Sequence, residues 1–107
     1  MDKPDITSQE LAAAGKTGRR VMREDIEALM HRVTYKVHVP EGTTSTFVHA
    51  YLDDAFLLAT GFSACVDKDN FIAATGIRIG KEDAENKATA KLWELEGYAL
   101  YKELNHG

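Results

Sequence analysis

The sequence predicts an α+β fold: a three-stranded antiparallel meander with short N-terminal helices and a long C-terminal helical region. Three observations predict it. Two alternating runs flank the turn signal Pro40-Glu41-Gly42-Thr43. An apolar run, Ala55 to Phe62, follows a second turn at Asp53-Asp54. Apolar residues recur at helical spacing before this stretch and after it.

The chain has 107 residues, enough for one domain with a modest core. Residues 1–20 read as an N-terminal arm and 21–107 as the single α+β domain. In the arm, Thr7 and Glu10 form a capping-box pattern ahead of Leu11-Ala12-Ala13-Ala14, and Gly15 can end that short helix. A second helix is expected over 23–33, where Ile26, Leu29, Met30 and Val33 make one apolar stripe. Glu24 and Asp25 suit its first turn, and Val21 can staple onto Ile26.

In the first hairpin, pairing Val39 with Thr44 fixes the faces. Tyr35, Val37, Val39, Thr46, Val48, Ala50 and Leu52 form a core face. Lys36, His38, Phe47, His49 and Tyr51 form the other, which mixes aromatic with cationic or titratable groups. The third run is apolar on both faces. Its second face therefore needs a cover, either the long helix or another subunit. The final helical segment is expected from an Asp67 cap to about Leu104. Gly76, Gly80, Ala84 and Ala88 are four apart and form a line of small side chains, able to admit another backbone or a flat ligand. Two glycines early in a helix each cost about 1 kcal/mol against alanine, which predicts a break or kink near Gly80-Lys81.

Composition narrows the function. The net charge of −4 argues against a general nucleic-acid coat, which needs a basic surface. Cys65 is the only cysteine, so no internal disulfide forms, and a reducing cytosol is expected. No apolar run approaches a membrane span, and the polar start Met1-Asp2-Lys3-Pro4-Asp5 predicts no signal peptide.

No strong catalytic motif stands out. Gly15-Lys16-Thr17 has the ending of a phosphate loop, but Glu10 stands where its first glycine belongs and a helix precedes it. His31, His38, His49 and His106 lack metal-ligand spacing, so no metal is expected. Cys65 reads as a packed small side chain, with no orienting partner for a nucleophile. Lys87 and Lys91 share a helix face. They read either as a solvated face softened by Asp83 and Glu94 or as a clamp for a phosphate, with Asn70 and Arg78 adding donors. Phe47 or Tyr51 could stack on a base while Lys36 meets a phosphate, and the same face suits a subunit contact. Trp93 and Tyr98 read as core or interface.

Several runs in this order resemble a family of small tailed-phage accessory proteins. They are Thr17-Gly18-Arg19-Arg20-Val21, Glu24-Asp25-Ile26-Glu27, Glu41-Gly42-Thr43-Thr44, Ser63-Ala64-Cys65-Val66-Asp67 with Asn70-Phe71, Gly76, and Lys91-Leu92-Trp93-Glu94-Leu95-Glu96-Gly97-Tyr98. The same fold family is associated with the first type of Thoeris anti-defence protein. It implies a phage sponge that sequesters a cyclic ADP-ribose-type immune signal, of the glycocyclic kind, in the host bacterial cytoplasm without cleaving it. It also implies dimers that assemble into hexamers, and cyclic oligonucleotides held at separate sites. No enzyme activity and no cofactor are expected. Asn70, Arg78, Lys87 and Lys91 are the expected polar ligand contacts, with Phe71 or Phe47 near the base. The alternative is a protein-binding module that inhibits a host factor directly. An enzyme using His38, His49 or Cys65 and a nucleic-acid regulator are weaker rivals.

The chain departs from the family pattern at three places. Lys68 follows the capping Asp67 where proline is usual, and Met22 replaces a threonine-type cap. Ile72-Ala73-Ala74-Thr75 stands where acidic residues are common. If those acids touch a ribose in relatives, this protein prefers another nucleotide or none.

Overall fold

The computed structural model describes residues 19–106, and the expectations for the arm's helix and for Gly15-Lys16-Thr17 lie outside them. Helix α1 spans Arg23–Met30. Strands β1 (Val33–His38), β2 (Ser45–Leu52) and β3 (Phe56–Ala64) form one antiparallel sheet in the order β1-β2-β3. A 3-10 turn over Lys68–Asn70 leads into α2, Ala73–His106. The α+β architecture read from the sequence is the one the chain adopts.

The first helix ends earlier than its stripe suggests. His31 is its C-cap and Val33 opens β1. Met22 has no side-chain acceptor to offer, yet the reciprocal half of a capping box survives: its backbone N–H donates to Asp25 Oδ2 at 3.0 Å. Val21, Leu29 and Met30 pack against the core around Ile26.

The faces of the meander are as the alternation predicts, but the register is not. Val37 pairs with Val48 and His38 with Phe47, so Val39 lies beyond the ladder instead of opposite Thr44. The difference is two residues, the pleat's own period, so no side chain changes face. Gly42 takes φ +79° in the turn, and Thr43 bonds back to the carbonyl of Pro40. At the second turn Asp53 and Asp54 both sit at positive φ, the pair of left-handed residues a tight hairpin requires. Asp53 also pairs with Arg32, and Asp54 accepts from the hydroxyl of Thr34. A bulge in β3 opposite Ala50 and Tyr51 turns Leu58 into the core.

The core is small: Ile26, Val48, Ala50, Leu58, Ala84, Ala88 and Leu92, with Thr46 fully buried among them. Helix α2 packs on β3 and β2, so the inner side of β1 is only partly covered. Val37 and Val39, expected in the core, remain 45% and 36% exposed.

The small-residue line on α2 faces the chain's own sheet. A methyl group on Gly80 would lie 2.9 Å from Val48 Cγ2, and one on Gly76 would lie 2.7 Å from Thr46 Oγ1. The stripe is therefore spent inside the fold and is not a seam where two copies meet. For the same reason α2 is one uninterrupted helix, without the expected break at Gly80-Lys81. Close packing offsets the intrinsic cost of the glycines. The helix starts at Ala73 and not at Asp67, whose side chain caps the preceding 3-10 turn. At about 1.5 Å per residue its 34 residues outrun the strands, and Tyr98, Tyr101 and Leu104 are exposed on the overhang.

Candidate functional site

Asn70 and Phe71 share a groove of about 210 Å³. A chain of local bonds builds it. After β3 the backbone N–H of Cys65 donates to Thr44 O at 3.3 Å, and the Thr44 hydroxyl donates to Cys65 O. The Cys65 thiol donates to Asp67 O at 3.1 Å. Asp67 then accepts from the backbone N–H of Asp69 at 2.9 Å and from Asn70 Nδ2 at 2.8 Å. This turn sets Asn70 and Phe71 beside Cys65, Ile72, Thr75 and Ile79, with Gly76 as the floor. The Asn70 amide keeps its oxygen and second N–H for a ligand. Arg78 is exposed on α2 three residues after Thr75, and it is not among the residues that line the groove.

The other expected site residues are elsewhere. Lys87 lies about 20 Å further along α2 by helical rise. It pairs with Asp83 at 2.9 Å, and its ammonium also reaches the carbonyl of Thr60 at 3.5 Å. Asp83 accepts from the backbone N–H of Phe62 at 2.9 Å. The two side chains together cover the outer edge of β3, satisfying backbone groups that an edge strand otherwise leaves bare. The hydrogen bond from Lys87, and then the one from Phe62, holds the Asp83 carboxyl below its usual range. Lys91 pairs with Glu94 at 3.2 Å. Each lysine thus has its own carboxylate, as the solvated-face reading requires.

Phe47 is on the opposite side of the sheet from α2. It packs on Phe62 with ring centroids 5.2 Å apart. His49 stands beside Tyr51, and its Nδ1 lies 2.9 Å from Thr60 Oγ1. Leu57 and Phe62, half exposed, complete this outer face, which no described element covers. One chain therefore does not bring all six expected ligand residues together. It joins Asn70 and Phe71 in one groove, leaves Arg78 exposed on α2 outside the groove's lining, and leaves Lys87, Lys91 and Phe47 apart.

A larger groove of about 550 Å³, not foreseen from the sequence, opens between α1, Tyr35 and α2. Ile26, Met30, Tyr35 and Trp93 give it apolar walls, and Glu27, Glu85 and Asn86 line it. Burial and then the charge of Glu85 push the Tyr35 phenol up, while Lys81 Nζ sits 5.1 Å from its ring centroid. Arg23 and His31 line the same groove, so its charge is mixed. Its signal in the sequence is the aromatic pair Tyr35 and Trp93, whose proximity only the packing of α2 reveals.

Among the described residues no group of three His, Cys, Asp or Glu side chains is placed to hold a metal ion. Among them also, no helix is long and apolar enough to cross a membrane. No curated protein and no solved structure matches the chain. Over residues 21–104 it matches the phage protein (N4 Gp49/phage Sf6 gene 66) family, and the chain belongs to that family.

Proposed function

We propose that the protein is a phage sponge: it binds a cyclic ADP-ribose-type signalling nucleotide in the host cytoplasm and withholds it without cleaving it, acting as a homo-oligomer. The observation that carries the reading is the groove uniting Asn70 and Phe71. An aromatic wall and an amide with its oxygen and one N–H unused suit a base and its exocyclic groups, and the exposed Arg78 further along α2 suits a phosphate. The ligand class is carried over from the Thoeris anti-defence proteins with which we associate the phage family. Sequestration needs enclosure and fixed donors, not a nucleophile. At about 210 Å³ the groove accepts a base but not a whole dinucleotide, so the reading requires a second copy to close over the rest. Lys87, Lys91 and Phe47 join the site only across such a seam.

The test is to load the protein with the product of a bacterial TIR-domain enzyme, remove unbound material, release ligand by heat and weigh it. A sponge returns the nucleotide intact. An enzyme returns products. A protein-binding module returns nothing. That last activity, direct inhibition of a host protein, is the second reading, and the apolar outer face of Phe47, Tyr51, Leu57 and Phe62, which no described element covers, favours it.

A further inference from the structure

An exposed asparagine is ordinarily free to turn its amide over; Asn70 is not. Asp67 accepts with both carboxylate oxygens. Its Oδ1 takes the backbone N–H of Asp69 at 2.9 Å, and its Oδ2 takes Asn70 Nδ2 at 2.8 Å. An ionised carboxylate only accepts, so the amide nitrogen is the atom that faces it. The reverse orientation would set Asn70 Oδ1 against Asp67 Oδ2, acceptor on acceptor. Asp67 is itself held in place. Its carbonyl accepts from the Cys65 thiol at 3.1 Å and from the backbone N–H of Asn70 at 3.0 Å, and Cys65 is tied to Thr44 at the end of the sheet. Asn70 is thus left with its oxygen and one N–H, beside the half-buried ring of Phe71 in the same groove.

We propose, resting on the sponge reading, that Asn70 selects a purine carrying a 6-amino group over one carrying a 6-oxo group, and that Asp67 is the positioning residue that sets this preference. A 6-amino purine offers a donor at N6 beside an acceptor at N7, the complement of an amide oxygen and N–H. A 6-oxo purine offers O6 and N7, two acceptors, so O6 meets Asn70 Oδ1 and both are left unmatched. A groove of about 210 Å³ holds little more than the base, so the choice is made on the base itself. Reversing the anchor reverses the choice. In Asp67→Asn the new amide oxygen still accepts from Asp69, since asparagine caps as well as aspartate does, and its NH2 group turns toward Asn70. Asn70 then directs its own oxygen inward and presents only N–H groups, which match O6 and N7.

The test measures, by calorimetry on the full chain, the affinities for cyclic ADP-ribose and for cyclic inosine diphosphate ribose. The two differ at the 6-position, and in both N1 carries the ring linkage, so the 6-substituent and N7 form the open edge. The parent protein is expected to bind the amino compound about ten-fold more tightly, the size of one matched base contact. Asp67→Asn is expected to invert the preference, and Asn70→Ala to abolish it. A ratio taken within one variant does not move with its folded fraction, so a merely structural role for either residue leaves it at the parental value. Equal affinities in the parent, or an Asp67→Asn variant that keeps the parental preference, overturns the proposal and leaves the sponge reading standing. Binding of neither nucleotide removes the sponge reading and the proposal with it.

Discussion

A methyl group on Gly61 would lie 2.3 Å from the amide nitrogen of Ala84 and 2.8 Å from its Cα, so β3 and α2 meet backbone to backbone at this point. The same methyl would lie 2.0 Å from the carbonyl oxygen of Gly80. Neither neighbour is a side chain able to turn aside. Gly61→Ala is expected to destabilise the fold by roughly 3 kcal/mol, at the upper end of overpacking costs, read as a lower urea midpoint.

Gly97 is the control of opposite sign. It sits within α2 with nothing within 4 Å of a built methyl group. Gly97→Ala is expected to raise stability by about 1 kcal/mol, the intrinsic helix preference. A loss of stability on this change would contradict the open surroundings assigned to it.

Thr46 is fully buried, and its hydroxyl has no hydrogen-bond partner under Gly76. An orphaned buried hydroxyl costs about 1–3 kcal/mol, while a methyl in its place costs no such desolvation. Thr46→Val is expected to increase stability by about 1 kcal/mol in the same unfolding assay.

Acid should loosen the fold through specific carboxylates. Hydrogen bonds lower Asp83 (from Lys87, then Phe62), Asp53 (from Arg32) and Glu103 (from Arg19). A carboxyl depressed on folding stabilises above its unfolded pKa, and that contribution disappears as pH falls through the lower folded value. Melting temperature is therefore expected to hold near neutrality and to fall below the ordinary carboxylate range, about pH 4. Asp83→Asn is expected to melt lower than the parent at pH 7 and to converge with it in acid. Asp53 and Glu103 are about half exposed and Asp83 is partly exposed, so each effect is small and salt-sensitive.

On the sponge reading, Phe71→Ala and Arg78→Ala each lower nucleotide affinity about ten-fold or more in calorimetry, the size of a lost stacking or charge-assisted contact. The double change Lys87→Ala with Lys91→Ala tests the seam separately. Unchanged affinity there removes both lysines from the site and leaves the groove at Asn70 standing.

The sequence made some features legible and hid others for identifiable reasons. The faces of β1 and β2 follow from alternation alone, because the pleat has a fixed period. Their register does not: Pro40 to Thr43 define a turn but not how many flanking residues leave the ladder. Val33 has helical spacing from Ile26, yet it pairs with Leu52, so sheet pairing overrides the pattern. Gly76 and Gly80 look like weak points in a helix until the sheet is seen beneath them. Asn70 and Phe71 are neighbours in sequence, so their shared groove needed only a local turn. The contact of Lys87 with the edge of β3 is set by tertiary packing and leaves no mark on local spacing.

The most direct measurement is the mass of what the heated protein gives up after loading with a cyclic ADP-ribose-type nucleotide. Recovery of the unaltered nucleotide, in proportion to protein and lost with Phe71→Ala, is the expected result. Recovery of cleaved fragments, or of no nucleotide at all, contradicts the account.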